Sequence, residues 1–237
     1  MRKILSIFLT TLIAGTANAS IVFSGFGYNQ EAQANASGSA GFTISGNVLT
    51  LVLTNTTAGR TAAQGNALTG VTFDIQGPSG PLTLTSFGLT DVTDKIWTSN
   101  LASSAVSPLS GSWTTSLGSS PIGEYGVATT GFNGRFHGGS LSRGNASADY
   151  GIVADGTFDG TNLPFSGSRF PFIQNSLTFS FSGASGLSEN DITNVILLFG
   201  TDGTGIISAT PPQLDPAPAP IPEPTTLQPL PAHLAIP

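Results

Sequence analysis

The chain contains no cysteine. That absence removes a disulfide framework, a thiolate zinc ribbon and a thiol nucleophile together. Charge is almost as scarce, at 8% of residues against roughly 25% in an ordinary soluble domain. Seven Lys and Arg against 13 Asp and Glu cannot build the basic patch that phosphate recognition requires, so nucleic acid is excluded as a partner. Only two histidines are present. Long apolar runs are missing too. Residues 4–14 (ILSIFLTTLIA) form a run of 11, whereas a bilayer span needs about 20, so no stable transmembrane span is expected in the mature chain.

What the chain has in quantity is small, neutral and apolar material. Among 237 residues there are 30 Gly, 28 Ser, 29 Thr and 15 Phe, and 39% are hydrophobic. That apolar share is enough for a packed core, which argues against disorder throughout. With charge so low, solubility has to come from hydroxyls and amides.

The two ends read as addresses. Arg2 and Lys3 precede the apolar run, and Ala17-Asn18-Ala19 supplies a small-x-small site, so residues 1–19 fit a secretory signal peptide cleaved after Ala19, with Ala17 and Ala19 as the recognition positions. Cleavage leaves Arg60, Lys95, Arg135, Arg143 and Arg169 as the basic residues, with no cluster to hold an anionic membrane. At the other end, ten of the 16 prolines fall within residues 211–237. Proline removes backbone donors and fixes φ, so residues 209–237 are expected to be a disordered, extended tail with no core of its own.

Residues 20–208 read as one all-β domain. Side chains alternate between apolar and polar in Gly41-Phe42-Thr43-Ile44-Ser45 and Leu49-Thr50-Leu51-Val52-Leu53, with Gly46-Asn47 between them as a hairpin turn. The same alternation recurs in Val71-Thr72-Phe73-Asp74-Ile75, Leu82-Thr83-Leu84-Thr85 and Leu177-Thr178-Phe179-Ser180-Phe181. Each segment should carry one apolar face and one wet, hydroxyl-lined face. Ser188 followed by Asp191 fits a capping box and a short helical turn, leading into residues 194–199 (NVILLF), whose continuous apolar character predicts a central strand covered on both faces. The expected architecture is an antiparallel two-sheet β-sandwich or jelly roll. A near-repeat, Glu124-Tyr125-Gly126-Val127 and Asp149-Tyr150-Gly151-Ile152, is too short for a solenoid and reads as two similar units of one sandwich.

A search for chemistry yields little. No G-x-S-x-G elbow exists, and His137 near Ser140, Ser142 and Asp149 makes no triad without geometry. Residues 155–162 (DGTFDGTN) place Asp155, Asp159 and Asn162 in one loop of oxygen ligands suited to calcium, but without EF-hand spacing. No cofactor, metal site or catalytic residue is assigned. Trp97, Trp113, Tyr125 and Tyr150 could give flat faces to a sugar, against the simpler reading of core packing. Asn35, Asn55 and Asn145 open N-x-Ser/Thr patterns, ordinary in so hydroxyl-rich a chain.

Within the tail stands Ile221-Pro222-Glu223-Pro224-Thr225-Thr226-Leu227. Together with the leader and the Ser/Thr/Gly-rich body, Pro222, Glu223 and Pro224 resemble the sorting motif of PEP-CTERM bacterial surface proteins. Residues 189–201 (ENDITNVILLFGT) are similar to the segment that closes the globular part of many such proteins. In that family the motif precedes an apolar helix and an Arg-rich end, whereas LQPLPAHLAIP follows here, so the signal is expected to be degenerate or truncated. The resemblance implies export to the surface of a Gram-negative bacterium, recognition by an exosortase where the signal is complete, and no assigned biochemical activity. The expectation is therefore a non-enzymatic cell-surface or extracellular-matrix protein that associates with exopolysaccharide or other surface proteins. The alternative is a carbohydrate-binding β-sandwich module.

Overall fold

The computed structural model describes residues 20–59, 64–77, 81–91, 94–97, 102–103, 113–120, 123–129, 151–154, 172–200 and 205–212. In chain order the strands begin with β1 (Ser20–Asn29), β2 (Ala34–Ser45), β3 (Val48–Asn55), β4 (Leu68–Ile75), β5 (Thr83–Leu89), β6 (Lys95–Trp97) and β7 (Ala102–Ser103). They continue with β8 (Thr114–Ser120), β9 (Gly123–Ala128), β10 (Ile152–Val153), β11 (Phe172–Gln174), β12 (Ser176–Ser182), β13 (Ile192–Phe199) and β14 (Gly205–Ser208). One sheet has five strands in the order β1-β2-β3-β12-β5; the other has nine, running β14-β13-β4-β10-β11-β6-β7, with β9 beside β4 and β8 beside β9. This is the expected all-β sandwich. Pairing is antiparallel except between β10 and β11.

Local sequence explains the five-stranded sheet. Through the middle of β2, β3 and β12 every second residue is buried, and the residues between are partly exposed. That is the period-2 signature of a sheet with one dry face. The β2–β3 hairpin turns at Gly46 and Asn47, with Ser45 opposite Val48. Gly46 has φ 61°, a value that costs a residue with a Cβ and is free for glycine at the first position of a two-residue hairpin loop.

The core lies between the sheets. Phe23 and Phe42 project from the five-stranded sheet, Phe73 and Tyr125 from the nine-stranded one, and the four rings form a chain across the sandwich. Centroid separations are 5.8 Å for Phe23–Phe42, 5.1 Å for Phe42–Phe73 and 5.9 Å for Phe73–Tyr125. Trp113 adds an edge contact to Phe179 at 5.0 Å. Burying each such ring contributes roughly 1.5–3 kcal/mol.

Two expectations need correction. The hydroxyl face of β4 is not wet: Thr69 and Thr72 are fully buried. The start of β9 lies across that face, so close that a Cβ on Gly123 would fall 2.7 Å from Thr72 Cβ, and the Thr69 hydroxyl donates to the Leu198 and Gly200 carbonyls at 3.1 and 2.8 Å. β13 is central, between β14 and β4, but it is covered on both faces only at its end. Leu197, Leu198 and Phe199 are buried there, whereas Asn194 is exposed. The outer side of Leu198 packs with Ala128, Ile196 and Ile206.

Other local readings hold. The turn Glu189–Asp191 is a short 3-10 helix; the Ser188 amide and hydroxyl donate to Asp191 Oδ2 at 2.8 and 3.0 Å. Parts of both copies of the near-repeat pair with β4: Val127 on β9 lies opposite Val71, and Ile152 on β10 lies opposite Leu68. Because β13 occupies the other edge of β4, the two units stand end to end along one strand.

Polar cross-links complete the frame. Asn55 ends β3 in the five-stranded sheet, and its amide donates to the carbonyls of Asn66 and Ile152, both at 2.8 Å. The buried Asp94 carboxylate accepts from Asn175 Nδ2 (2.7 Å), the Ser176 hydroxyl (2.8 Å) and the Asp91 amide (2.8 Å). Neutral donors thus hold this carboxylate in place, as a buried charge requires.

Candidate functional site

Among the described residues, the outer face of the five-stranded sheet carries no charge. None of its strands contains Asp, Glu, Lys, Arg or His. Among the described residues, charged side chains sit on the nine-stranded sheet (Asp74, Lys95, Glu124) or in connecting segments. Glu31, in the β1–β2 turn, packs against Gly200 at the end of β13, away from this face.

Register turns alternation into rows. Ser20 lies opposite Thr43, Thr43 opposite Thr50, Thr50 opposite Ser180, and Ser180 opposite Ser86. One row of five hydroxyl residues therefore crosses the whole sheet, with steps of about 4.8 Å between strands. The next row on one side, Ser45, Val48, Ser182 and Thr83, is again mostly hydroxyl. Each hydroxyl both donates and accepts, so these two rows are strips of neutral hydrogen-bonding groups, whereas the row on the other side, Val22, Gly41, Val52, Thr178 and Gly88, has a single hydroxyl.

At one end of the face stand two aromatic rings. Phe26 and Tyr28 are 72% and 59% exposed, unusual values in a chain whose other described aromatics are buried or half-buried. Being two residues apart on β1 they share a face, about 6.8 Å apart along the strand. Opposite them on β2 are Ser37 and Asn35. The Tyr28 hydroxyl donates to Gln33 Oε1 at 3.3 Å, and Gln33 Nε2 in turn donates to the Gln30 carbonyl at 2.6 Å, which fixes the ring's polar end.

The inner face of β1 explains why these rings point outward. A Cβ on Gly25 would lie 3.0 Å from Ile207 Cγ2 and 3.1 Å from Leu197 Cδ1. β14 and β13 approach so closely that any side chain at Gly25 would need Ile207, Leu197 and the Ser208 carbonyl to give way by a few tenths of an ångström, and the bulky alternate residues face out.

The aromatic residues read from sequence as a sugar platform do not form one. Trp97, Trp113 and Tyr125 are 5%, 3% and 8% exposed. Trp97 is held inside by a bond from its Nε1 to Gln174 Oε1 (2.9 Å) and by stacking on Phe172. Large rings between two packed sheets are consumed by the core. Asn55 is likewise buried and committed to two carbonyls, so its N-x-Thr pattern offers no modification site, while Asn35 is exposed. Ala17, Ala19, Pro222, Glu223 and Pro224 lie outside the described residues, as do His137, Ser140, Ser142, Asp149, Tyr150, Asn145 and residues 155–162.

Fold and face together define a β-sandwich with one uncharged, hydroxyl-lined sheet surface and an aromatic pair at its edge. Comparison with protein-family models, with curated proteins and with solved structures finds no match to this chain.

Proposed function

We propose that the chain is an exported, non-enzymatic structural protein of a bacterial cell surface or extracellular matrix, released from its leader after Ala19 and carrying a degenerate sorting signal at Pro222, Glu223 and Pro224. The observation that carries this reading is how β2 is capped beside Ser20. Ser20, which cleavage after Ala19 would make the first residue, pairs with Thr43. The next amide on that side of β2, Ile44 N–H, donates to Glu189 Oε1 at 2.7 Å, so a side chain closes the ladder at the position where processing would end the strand.

The tail leaves from the same strand. Ser24 and Thr210 exchange backbone bonds at 2.9 and 3.0 Å as an antiparallel bridge, two residues beyond the domain end expected from composition. An antiparallel bridge directs Pro211 and Pro212 toward the Ser20 end of β1. Ser20 and Pro212 therefore lie toward one end of the edge strand, while Phe26 and Tyr28 stand toward the other.

Cell fractionation with intact-mass measurement tests the reading. The expected product is an extracellular or surface-bound chain beginning at Ser20; an uncleaved chain confined to the cytoplasm would defeat the proposal.

A further inference from the structure

We propose that the outer face of the five-stranded sheet is a binding surface for neutral polysaccharide, with Phe26 and Tyr28 as its stacking positions. It rests on the exported reading only for the presence of extracellular glycan; the binding itself is a property of the purified chain.

Charge selects the class of ligand. An anionic polymer is held by Arg and Lys, and a cationic one by carboxylates, and none of these stands on the five strands. A sugar polymer without ionic groups loses nothing against such a face. Its hydroxyls exchange hydrogen bonds with the row Ser20, Thr43, Thr50, Ser180 and Ser86, and the C–H faces of its rings pack on Phe26 and Tyr28, whose flat apolar bodies are already in water. Asn35 and Ser37, directly opposite the two rings on β2, supply amide and hydroxyl partners beside the stacking position. The Tyr28–Gln33 bond holds one ring in place before contact, which reduces the ordering cost of binding.

A second copy of the chain fits this face less well. The cores of stable protein interfaces are distinctly apolar, whereas here the exposed apolar side chains, Val22, Phe26, Tyr28 and Val48, are confined to β1 and the start of β3, and hydroxyl rows cross the rest of the sheet.

The test is affinity electrophoresis of the purified chain in gels containing hydroxyethylcellulose, dextran or galactomannan, with carboxymethylcellulose as the anionic counterpart. Retardation is expected on at least one neutral polymer, and the double variant F26A/Y28A should weaken it about tenfold. Both side chains are exposed, so the variant should keep the parent melting temperature to within about 1 °C. A folded chain that ignores all three neutral polymers, or a folded variant that binds as well as the parent, would overturn the proposal. So would retardation by carboxymethylcellulose alone. Concentration-dependent self-association abolished by F26A/Y28A, without glycan binding, would reassign the face to a second copy and likewise overturn it. None of these results depends on where the host places the protein, so the proposal can fail while the exported reading stands, and the reverse.

Discussion

Replacing Phe42 with Ala is expected to destabilise the sandwich by about 3–5 kcal/mol, the range for deleting a fully buried ring. Phe42 is 0% exposed and is the link between sheets in the ring chain, touching Phe23 on one side and Phe73 on the other. The cavity left behind is walled by two hydrogen-bonded sheets, which cannot collapse into it as a loop would. For a domain of this size the melting temperature should fall by on the order of 10 °C. Calorimetry and urea unfolding read this directly, with an unchanged slope and a lower midpoint. A loss below about 1 kcal/mol would mean that the sheets are not joined through this ring.

Asn55→Ala is expected to cost about 3 kcal/mol through a different mechanism. The Asn55 amide satisfies two carbonyls, of Asn66 and Ile152, and its Oδ1 accepts from the Thr57 amide at 3.0 Å. Alanine fills little of the space and leaves three buried backbone groups without this partner, each costing about 1–3 kcal/mol if water cannot replace it. Asn55→Asp should be worse near neutral pH, because a carboxylate oxygen would face two carbonyl oxygens. In that variant the charged form is disfavoured by folding, so the folded-state pKa of the new carboxyl lies above its unfolded value. Stability should therefore rise as the pH falls through the folded-state value and the acid gains a proton to donate. A urea midpoint that does not respond to pH between about 4 and 7 would contradict this account.

Much of the sandwich is legible in the sequence. β2, β3 and β12 are read by alternation, since Phe42, Leu51 and Phe179 recur at period 2 with Thr and Ser between them, and that spacing has only one way to put its apolar side on a core. The turn at Gly46 and the capping Ser188–Asp191 pair are local chemistry and are equally plain. Long-range partners are not. Nothing in SLTFSFS says that β12 lies between β3 and β5, because pairing is decided by loop closure and by which faces must be covered. β4 alternates as clearly as β2, yet its Thr69 and Thr72 are buried, because covering by the start of β9 is a tertiary event.

The candidate face was hidden for a related reason. In Ile21-Val22-Phe23-Ser24-Gly25-Phe26-Gly27-Tyr28 both parities hold apolar residues, so period 2 does not choose a face. The decision is made by Ile207 and Leu197, which need the room that Gly25 leaves and so turn Phe26 and Tyr28 to water. The tryptophans mislead in the opposite direction, since their size draws attention on paper and draws them into the core in the fold. The absence of charge, evident in the sequence as a global scarcity, acquires meaning once it is seen to be complete on one sheet.

Thr50→Lys is the most direct test of that face as the working surface. Thr50 occupies the middle of the hydroxyl row, between Thr43 and Ser180, and its outward side chain leaves room for a long one to reach water. A bound neutral polymer would have to desolvate the new ammonium or tilt away from it, and neither is compensated. The melting temperature should stay within about 2 °C of the parent, while retardation by the neutral polysaccharide that binds the parent chain should fall at least tenfold. Binding of that polymer undiminished by Thr50→Lys, in a variant that folds like the parent, would contradict the assignment of this sheet as the contact face.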